Sequence, residues 1–240
     1  MRSLQCYAPF IRPLKFKAYN FATKSFGLHV EPEFKDLSRL PQVGLALDIG
    51  GNWGQSVHAL KQTAAPGRII SFEPNPILAE KLRGEFKRND NVEIQSCALG
   101  DSEGEFDLFI PRYRNFVFDG LASLDEDAAT HWLNKDRMAA FDASKLRVDK
   151  HIVEVKTLDS FNLSPDVVKI DVQGFELKVV QGGEKTFRRS RPVTIVESPT
   201  DELIGLFADM QMAPYGFKAN RLIPGDTTGT NTIFIHRDRL

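Results

Sequence analysis

From residue 43 onward, short apolar and β-branched runs alternate with longer amphipathic stretches, the pattern of parallel strands joined by helices. The runs predict strands at 43–48, 68–72, 92–97, 167–171, 193–197, 215–219 and 232–236. Between them the helical period predicts helices at 52–62, 77–88, 175–182 and 203–211. In the second, Ile77, Leu78, Leu82 and Phe86 share a face, and Gly182-Gly183 falls near the centre or end of the third. Residues 1–40 read as an arm, helical in its middle and broken by Pro9, Pro13 and Pro32.

The alternation lapses between 98 and 160. A turn at Gly100, Asp101 and Gly104 precedes a half-exposed strand pattern at 105–110, and a partner pattern at 152–157 makes an inserted hairpin. Residues 111–150 carry no strand signal, only a short helix within 125–140, yet they hold Tyr113, Phe116, Phe118, His131, Trp132 and Phe141. A loop of that length is functional or disordered. Its aromatics argue against disorder, so it reads as a substrate-facing cap. The whole is one doubly wound α/β domain over 41–240, with the arm and the cap attached.

Composition narrows the partners. The 240 residues carry 31 basic and 32 acidic side chains, a net charge of −1, so nothing draws the chain toward nucleic acid. Cys6 and Cys97 are too few for a disulfide framework, which fits a reducing, cytoplasmic setting. Neither a secretory signal nor a stretch of transmembrane length is expected. Phe10, Ile11, Phe16, Phe21 and Phe26, interleaved with cations, allow peripheral membrane contact, but a helix packed on the domain is the expectation.

In an open parallel sheet, ligands lie outside the carboxyl ends of the strands. Here those ends carry Asp48, Glu73, Asp171 and Glu197, besides Cys97-Ala98. The first strand enters a turn containing Gly50, Gly51 and Gly54, which lets backbone approach a ligand closely. The spacing is D-x-G-x-x-x-G rather than the G-x-G-x-x-G of a dinucleotide turn. An acid at the strand end repels phosphate and welcomes a cationic group, so the turn fits a zwitterionic cofactor. Glu73, in Phe72-Glu73-Pro74-Asn75-Pro76, is placed to accept both hydroxyls of a ribose, the alternative being a helix-start acid favoured by the macrodipole.

Asp-Ile-Gly-Gly-Asn-Trp-Gly at 48–54, Phe-Glu-Pro-Asn-Pro at 72–76, Cys-Ala-Leu-Gly-Asp at 97–101 and Val-Lys-Ile-Asp-Val-Gln-Gly-Phe-Glu at 168–176 together resemble the FkbM family of S-adenosylmethionine-dependent methyltransferases. The resemblance spans about 43–236 and departs at Gly51, where the family has Ala, and at Gln173, where it has Glu. It implies a Rossmann-like, mostly parallel seven-stranded sheet with an antiparallel last strand. It also implies that Asp48, Gly50, Asn52 and Gly54 hold the methionine part of S-adenosylmethionine, that Glu73 binds its ribose, and that Ala98 meets its adenine. Asp171 would serve as base or orient the acceptor, or else contact the cofactor's ammonium; Glu197 would be a second base or acceptor ligand. The acceptor would be a small hydroxylated molecule, a saccharide precursor or a natural product.

Other residues stay open at this level. Glu176 reads equally as capping or functional. Cys97 reads as a small buried hydrophobe, and His131 in the cap as a surface residue. The basic set Arg112, Arg114, Lys135, Arg137, Lys145, Arg147 and Lys150 reads as a solvated face. Asp171 and Glu197 lack a third ligand, so no metal is assigned. The rival readings are a non-catalytic module that binds the cofactor, and an NAD-dependent oxidoreductase.

Overall fold

Two successive hydrophobic faces per strand decide the architecture. The computed structural model describes residues 11–26, 31–131, 133–138 and 140–239; Cys6, Pro9, Phe10, His29 and Trp132 lie outside the described residues. Strands are β1 (Leu45–Ile49), β2 (Arg68–Phe72), β3 (Val92–Gln95), β4 (Ala98–Leu99), β5 (Gly104–Tyr113), β6 (Phe116–Val117), β7 (Leu146–Lys156), β8 (Val167–Ile170), β9 (Val193–Glu197), β10 (Met212–Lys218), β11 (Arg221–Pro224) and β12 (Asn231–His236). Helices are α1 (Ile11–Phe26), α2 (Gln55–Thr63), α3 (Pro76–Phe86), α4 (Glu126–His131), α5 (Glu176–Gln181), α6 (Glu184–Ser190) and α7 (Asp201–Asp209).

The main sheet runs β11-β10-β12-β9-β8-β1-β2-β3, with β12 antiparallel to both neighbours. The seven expected strands are present, and β11 adds an eighth by folding back antiparallel on β10. Strand period sorts the core. Leu47, Ile49, Ile70, Val168 and Ile170 pack with Val179, Phe187 and Phe207 of α5–α7 on one face. Ala46, Ile69, Val167 and Ile195 pack on the other with Val57 and Leu60 of α2 and with Phe34 and Leu37 of a 3-10 segment, Pro32–Arg39. The chain steps outward from β1 through β2 and β3, then returns to β8 on the opposite side of β1. That reversal opens a crevice at the C-terminal ends of β1 and β8.

Several expectations need correction. Ile77 is 57% exposed while Leu78, Leu82 and Phe86 are buried, because Ala79 takes the inward place beside them. The helix expected at 175–182 is two short helices, separated at Gly182-Gly183. The inserted hairpin is longer than its alternation signalled: β5 and β7 pair from Gly104–Val155 to Tyr113–Leu146 and form a second sheet with β4 and β6. Within 111–150, residues 111–113, 116–117 and 146–150 are therefore strand. What remains closes on its own small core of Tyr113, Phe116, Phe118, Leu133 and Met138. Its helix is only α4, started by Asp125 Oδ1 accepting from Ala128 N at 3.0 Å and followed by a turn on Asn134.

In the arm, α1 runs through Pro13, which sits in its first turn where no intrahelical N–H is required. Phe16 stacks on Trp53 with centroids 5.0 Å apart, and Asn20 donates to the Trp53 carbonyl at 2.9 Å. Among the described residues, no helix is long and apolar enough to cross a membrane.

Gly182 tests how tightly the insertion is locked to the domain. A Cβ there would lie 1.8 Å from the Gly100 carbonyl oxygen, whereas one at Gly205 in α7 meets nothing within 4 Å. Urea titration is expected to show Gly182→Ala losing about 1–3 kcal/mol, and Gly205→Ala gaining about 0.5–1 kcal/mol. A neutral Gly182→Ala contradicts the packing.

Candidate active site

The switch point between β1 and β8 is closed by backbone. Asp171 N donates to Ile49 O at 2.9 Å, and Gly50 follows with φ +95°. A Cβ on Gly50 would lie 1.9 Å from the Asp171 carbonyl oxygen, so no side chain fits where these strand ends meet. Gly50 and Gly51 both donate to Phe72 O, at 2.9 and 3.1 Å, tying the turn to β2. At Gly51 a Cβ would come within 2.4 Å of Ser71 Oγ, which excludes the alanine of the resembled family's motif.

Beside this junction lies a cavity of about 610 Å³ including its open mouth. Gly50, Asn52, Glu73, Ala98 and Asp171 line it, so five of the residues singled out from sequence are brought together. Asp119, Ser123 and Phe175 also line it, and Ser123 Oγ donates to Gln173 O at 3.1 Å. The cap thus does face the cavity.

Glu73 is 5% exposed and doubly held: Oε2 accepts from Asn52 N at 2.7 Å and Oε1 from Asn75 N at 2.8 Å. Burial pushes its carboxyl up to about 7, against the pull of those two amides. Asn75 also caps α3, accepting from Ile77 N at 3.1 Å, so the helix start and the acid share one turn. Asn52 sits at φ +47°, and its buried Oδ1 has no hydrogen-bond partner. Cys97 is buried and pushed up to about 11 by burial, the state of an inert thiol.

Two residues expected to touch a ligand are placed elsewhere. Asp48 is wholly buried, because strand alternation turns it to the α2–α3 face rather than toward the cavity. Its Oδ2 accepts from Ser71 Oγ at 2.7 Å, and burial raises its carboxyl despite that bond and one from Ser56. Gly54 lies behind the turn at the start of α2, where a Cβ would meet Phe86 at 2.9 Å. Both shape the turn from beneath.

Asp171 and Glu197 do meet. Gln173, at φ +55°, donates its Nε2 to Asp171 Oδ1 at 2.9 Å and to Glu197 Oε2 at 3.1 Å. Burial opposes charge on Asp171, but the hydrogen bond with Glu197, the Lys169 ammonium and Gln173 outweigh it and hold Asp171 below the usual range. Its neighbour's hydrogen bond, then burial, push Glu197 up to about 8. The pair carries one proton near neutrality, on Glu197, and titrates as a unit. Glu176 proves to be a bracket: Oε1 accepts from Val172 N at 3.1 Å and Gly174 N at 3.2 Å.

Glu197 and Gln173 also line a wider open cleft, about 1210 Å³ including solvent, with Asp127, His131, Arg137 and Thr200. Among the described residues no three His, Cys, Asp or Glu side chains cluster as a metal site. Sequence reasoning missed Asp119 and Ser123, which lie in irregular cap segments without periodicity. It noted Gln173 only as a departure; the two-residue spacing from Asp171 was the available signal.

A model of the methyltransferase FkbM domain matches residues 42–214. The 2-O-methyltransferase NoeI of Sinorhizobium fredii (strain NBRC 101917 / NGR234) is 28% identical over 151 residues, 60% of this chain and 59% of that protein. Methyltransferase sdnD of Sordaria araneosa is 26% identical over 167 residues, 61% and 63% of the respective chains. The chain thus spans about three fifths of the length of these relatives. The crystal structure of methyltransferase FkbM from Methylobacillus flagellatus KT shares the fold, with a TM-score of 0.51 at 14% identity, over 95% of this chain and 60% of that one. With the family's domain matched across most of its length, this chain belongs to the FkbM methyltransferase family.

Proposed function

We propose that this chain binds S-adenosylmethionine in the cavity at the β1–β8 junction and methylates a hydroxyl of a small acceptor in the adjoining cleft. The observation that carries the reading is Glu73, buried and fixed by two amides on one wall, with the Asp171–Glu197 pair on the other side of the Gly50 turn. The fit rests on this chain's own atoms. Each Glu73 oxygen accepts one amide and keeps a lone pair for a ribose hydroxyl. The Gly50 turn borders the cavity, where a methionine moiety would lie along it, and the Oδ1 of Asn52, without a hydrogen-bond partner among the described residues, is an acceptor for its ammonium. Ala98 lies where an adenine edge would meet backbone.

When bound, S-adenosylmethionine supplies a methyl group on a positively charged sulfur, an electrophile that needs no further activation. The chain's share is alignment and proton removal. Well-oriented reactants gain roughly 7–11 kcal/mol, and a positioned base adds about 10²–10⁴-fold. Asp171, anionic beside protonated Glu197, accepts the hydrogen bond of an acceptor hydroxyl and takes its proton as the oxygen gains the methyl. Gln173 keeps the two carboxyls in register. Oxygen as the acceptor atom is supported by the name of NoeI, a 2-O-methyltransferase. The polar side chains that Glu197, His131 and Arg137 bring to the cleft suit a hydroxylated molecule such as a saccharide. An NAD-dependent oxidoreductase is disfavoured by the turn, which lacks the dinucleotide spacing.

Calorimetry is expected to detect S-adenosylhomocysteine binding and none of NAD; the reverse result sinks the reading. Glu73→Ala is expected to lose at least about tenfold in that affinity, as for a charge-assisted pair of hydrogen bonds.

The same experiment has a pH signature. Ribose hydroxyls need an ionised Glu73, whose carboxyl lies at about 7 in the free protein. Affinity is therefore expected to be level above that pH and to fall toward about tenfold per pH unit below it, with the slope abolished in Glu73→Gln. A flat wild-type profile between pH 5 and 8 removes the ribose assignment.

For turnover, a labelled-methyl screen over hydroxylated metabolites comes first. On any acceptor found, Asp171→Asn is expected to lose at least about 10²-fold in kcat, and full turnover in that variant refutes Asp171 as base.

A further inference from the structure

One buried charge has no part in these steps. Lys169 lies on β8 two residues before Asp171, on the same sheet face, and is 2% exposed. Pairing sets it beside Asp48 of β1 and Ile195 of β9. Its Nζ donates to Asn231 Oδ1 at 3.2 Å and lies 3.5 Å from Glu31 Oε2. Asn231 Nδ2 donates to that same Glu31 oxygen at 3.3 Å, and Asn231 stands opposite Glu197 across the β9–β12 ladder. Glu31 immediately precedes the 3-10 segment whose Phe34 and Leu37 seal this face of the sheet. Three separate parts of the chain therefore converge behind the Asp171–Glu197 pair.

Packing does not call for an ammonium here. Desolvating it costs several kcal/mol, and an apolar side chain of similar volume would fill the space as well or better. Its burial requires acids around it, and those acids are the functional ones. Burial pulls the Lys169 ammonium down, but Glu31, Asp171, Glu197 and Asp48 more than offset this and keep it charged. The influence is mutual: Lys169 lowers Asp171, Glu197 and Glu31.

We propose that Lys169 is a positioning residue that fixes the charge of the Asp171–Glu197 pair, and that Glu31 partly neutralises it, which makes the N-terminal segment a working part of the site. The pair's role toward an acceptor rests on the function proposed above; the charge linkage does not, and rests on Lys169 standing two residues before Asp171 and hydrogen-bonded to Asn231, which is paired with Glu197. The groups facing the pair are Asp48 from β1, Lys169 from β8, Asn231 from β12 and Glu31 from the N-terminal side, with Glu33 beside Glu31. Gln173 and Glu176 face it from the turn and α5, and Asp127, His131 and Arg137 border the open cleft. Against the inner acids Lys169 supplies the positive charge. Removing it must make the pair harder to ionise, and removing Glu31 must make it easier.

The test is a carboxyl titration by carbon-13 NMR on the full chain without cofactor, with glutamate side chains labelled and Glu197 assigned by the signal lost in Glu197→Gln. The wild-type midpoint is expected near 8. Lys169→Met is expected to raise it by about one pH unit or more, Glu31→Gln to lower it by a smaller step, and Lys169→Arg to leave it near the wild-type value. A purely structural Lys169 would change thermal stability without opposite shifts in this midpoint. Unmoved midpoints in both charge-removing variants overturn the proposal. Should Lys169→Met fail to fold, Glu31→Gln decides alone: a lowered midpoint supports the linkage and an unchanged one refutes it. S-adenosylhomocysteine calorimetry on the same samples keeps the two readings apart, because loss of cofactor binding would refute the proposed function without touching the titration.

Discussion

The structure depends on one close approach, the meeting of the β1 and β8 ends at Gly50 and Asp171. The Asp171 amide bonds to the Ile49 carbonyl, and the next residue must present no Cβ to the Asp171 carbonyl oxygen. Only then does the chain turn back with φ +95° and reach α2. The consequences spread from there. The Gly50 and Gly51 amides engage Phe72 O, which sets the end of β2 and so the position of Glu73. The same junction directs the turn after β8, so that Gln173 reaches both Asp171 and Glu197. The wall carrying Glu73 and the wall carrying the Asp171–Glu197 pair are thus two sides of a single backbone contact.

Around that contact the protein tolerates charges it could fold without. Glu73, Asp48 and Lys169 are buried and the Asp171–Glu197 pair is half-buried, and each is partnered rather than left bare. Breaking a buried pair by removing one member typically costs about 3–5 kcal/mol, more than most single hydrophobic contacts. These groups are poor stabilisers and good instruments. Low exposure lets a neighbouring ammonium or carboxyl move a pKa by units rather than tenths. The acidic residues at the strand ends consequently differ in how readily they ionise, with Glu73 pushed up to about 7 on one wall and Glu197 to about 8 on the other.

The strand order and the strand-end acids were legible because period-two burial and the placement of acids after apolar runs are local signals. The same period, carried one step further, would have turned Asp48 away from the cavity: Leu47 and Ile49 belong to one face, so the residue between them must belong to the other. Asp48 lies inside β1, one residue short of its end, whereas Glu73 and Asp171 follow the last residues of β2 and β8 and so reach the cavity. Lys169 was silent for a related reason. A lysine inside an apolar run reads as an exposed position, and only the pairing with Asp48 and the arrival of Glu31 from far along the chain give it partners. Long-range convergence of this kind leaves no spacing to find.

The insertion was underread in a different way. β5 and β7 extend to Tyr113 and Leu146, well past the alternation that announced them. Pro111, Arg112 and Arg147 interrupt the apolar alternation while the ladder continues, held by pairing between the two strands and by Tyr113, which is buried in the cap's own core. The cap beyond them gains order from its own aromatic core, with Tyr113 stacked on Phe141 at 5.3 Å and Phe116 edge-on to Phe118 at 4.6 Å. A folded cap with a separate core can vary the residues it sends toward the cavity, here Asp119 and Ser123, without disturbing the sheet that holds Glu73 and Asp171. Under the function proposed above, this division puts the cofactor on rigid strand ends and acceptor choice on an insertion. The turn at 48–54 is a local signal in the sequence, whereas the cap residues that reach the cavity lie in segments without periodicity.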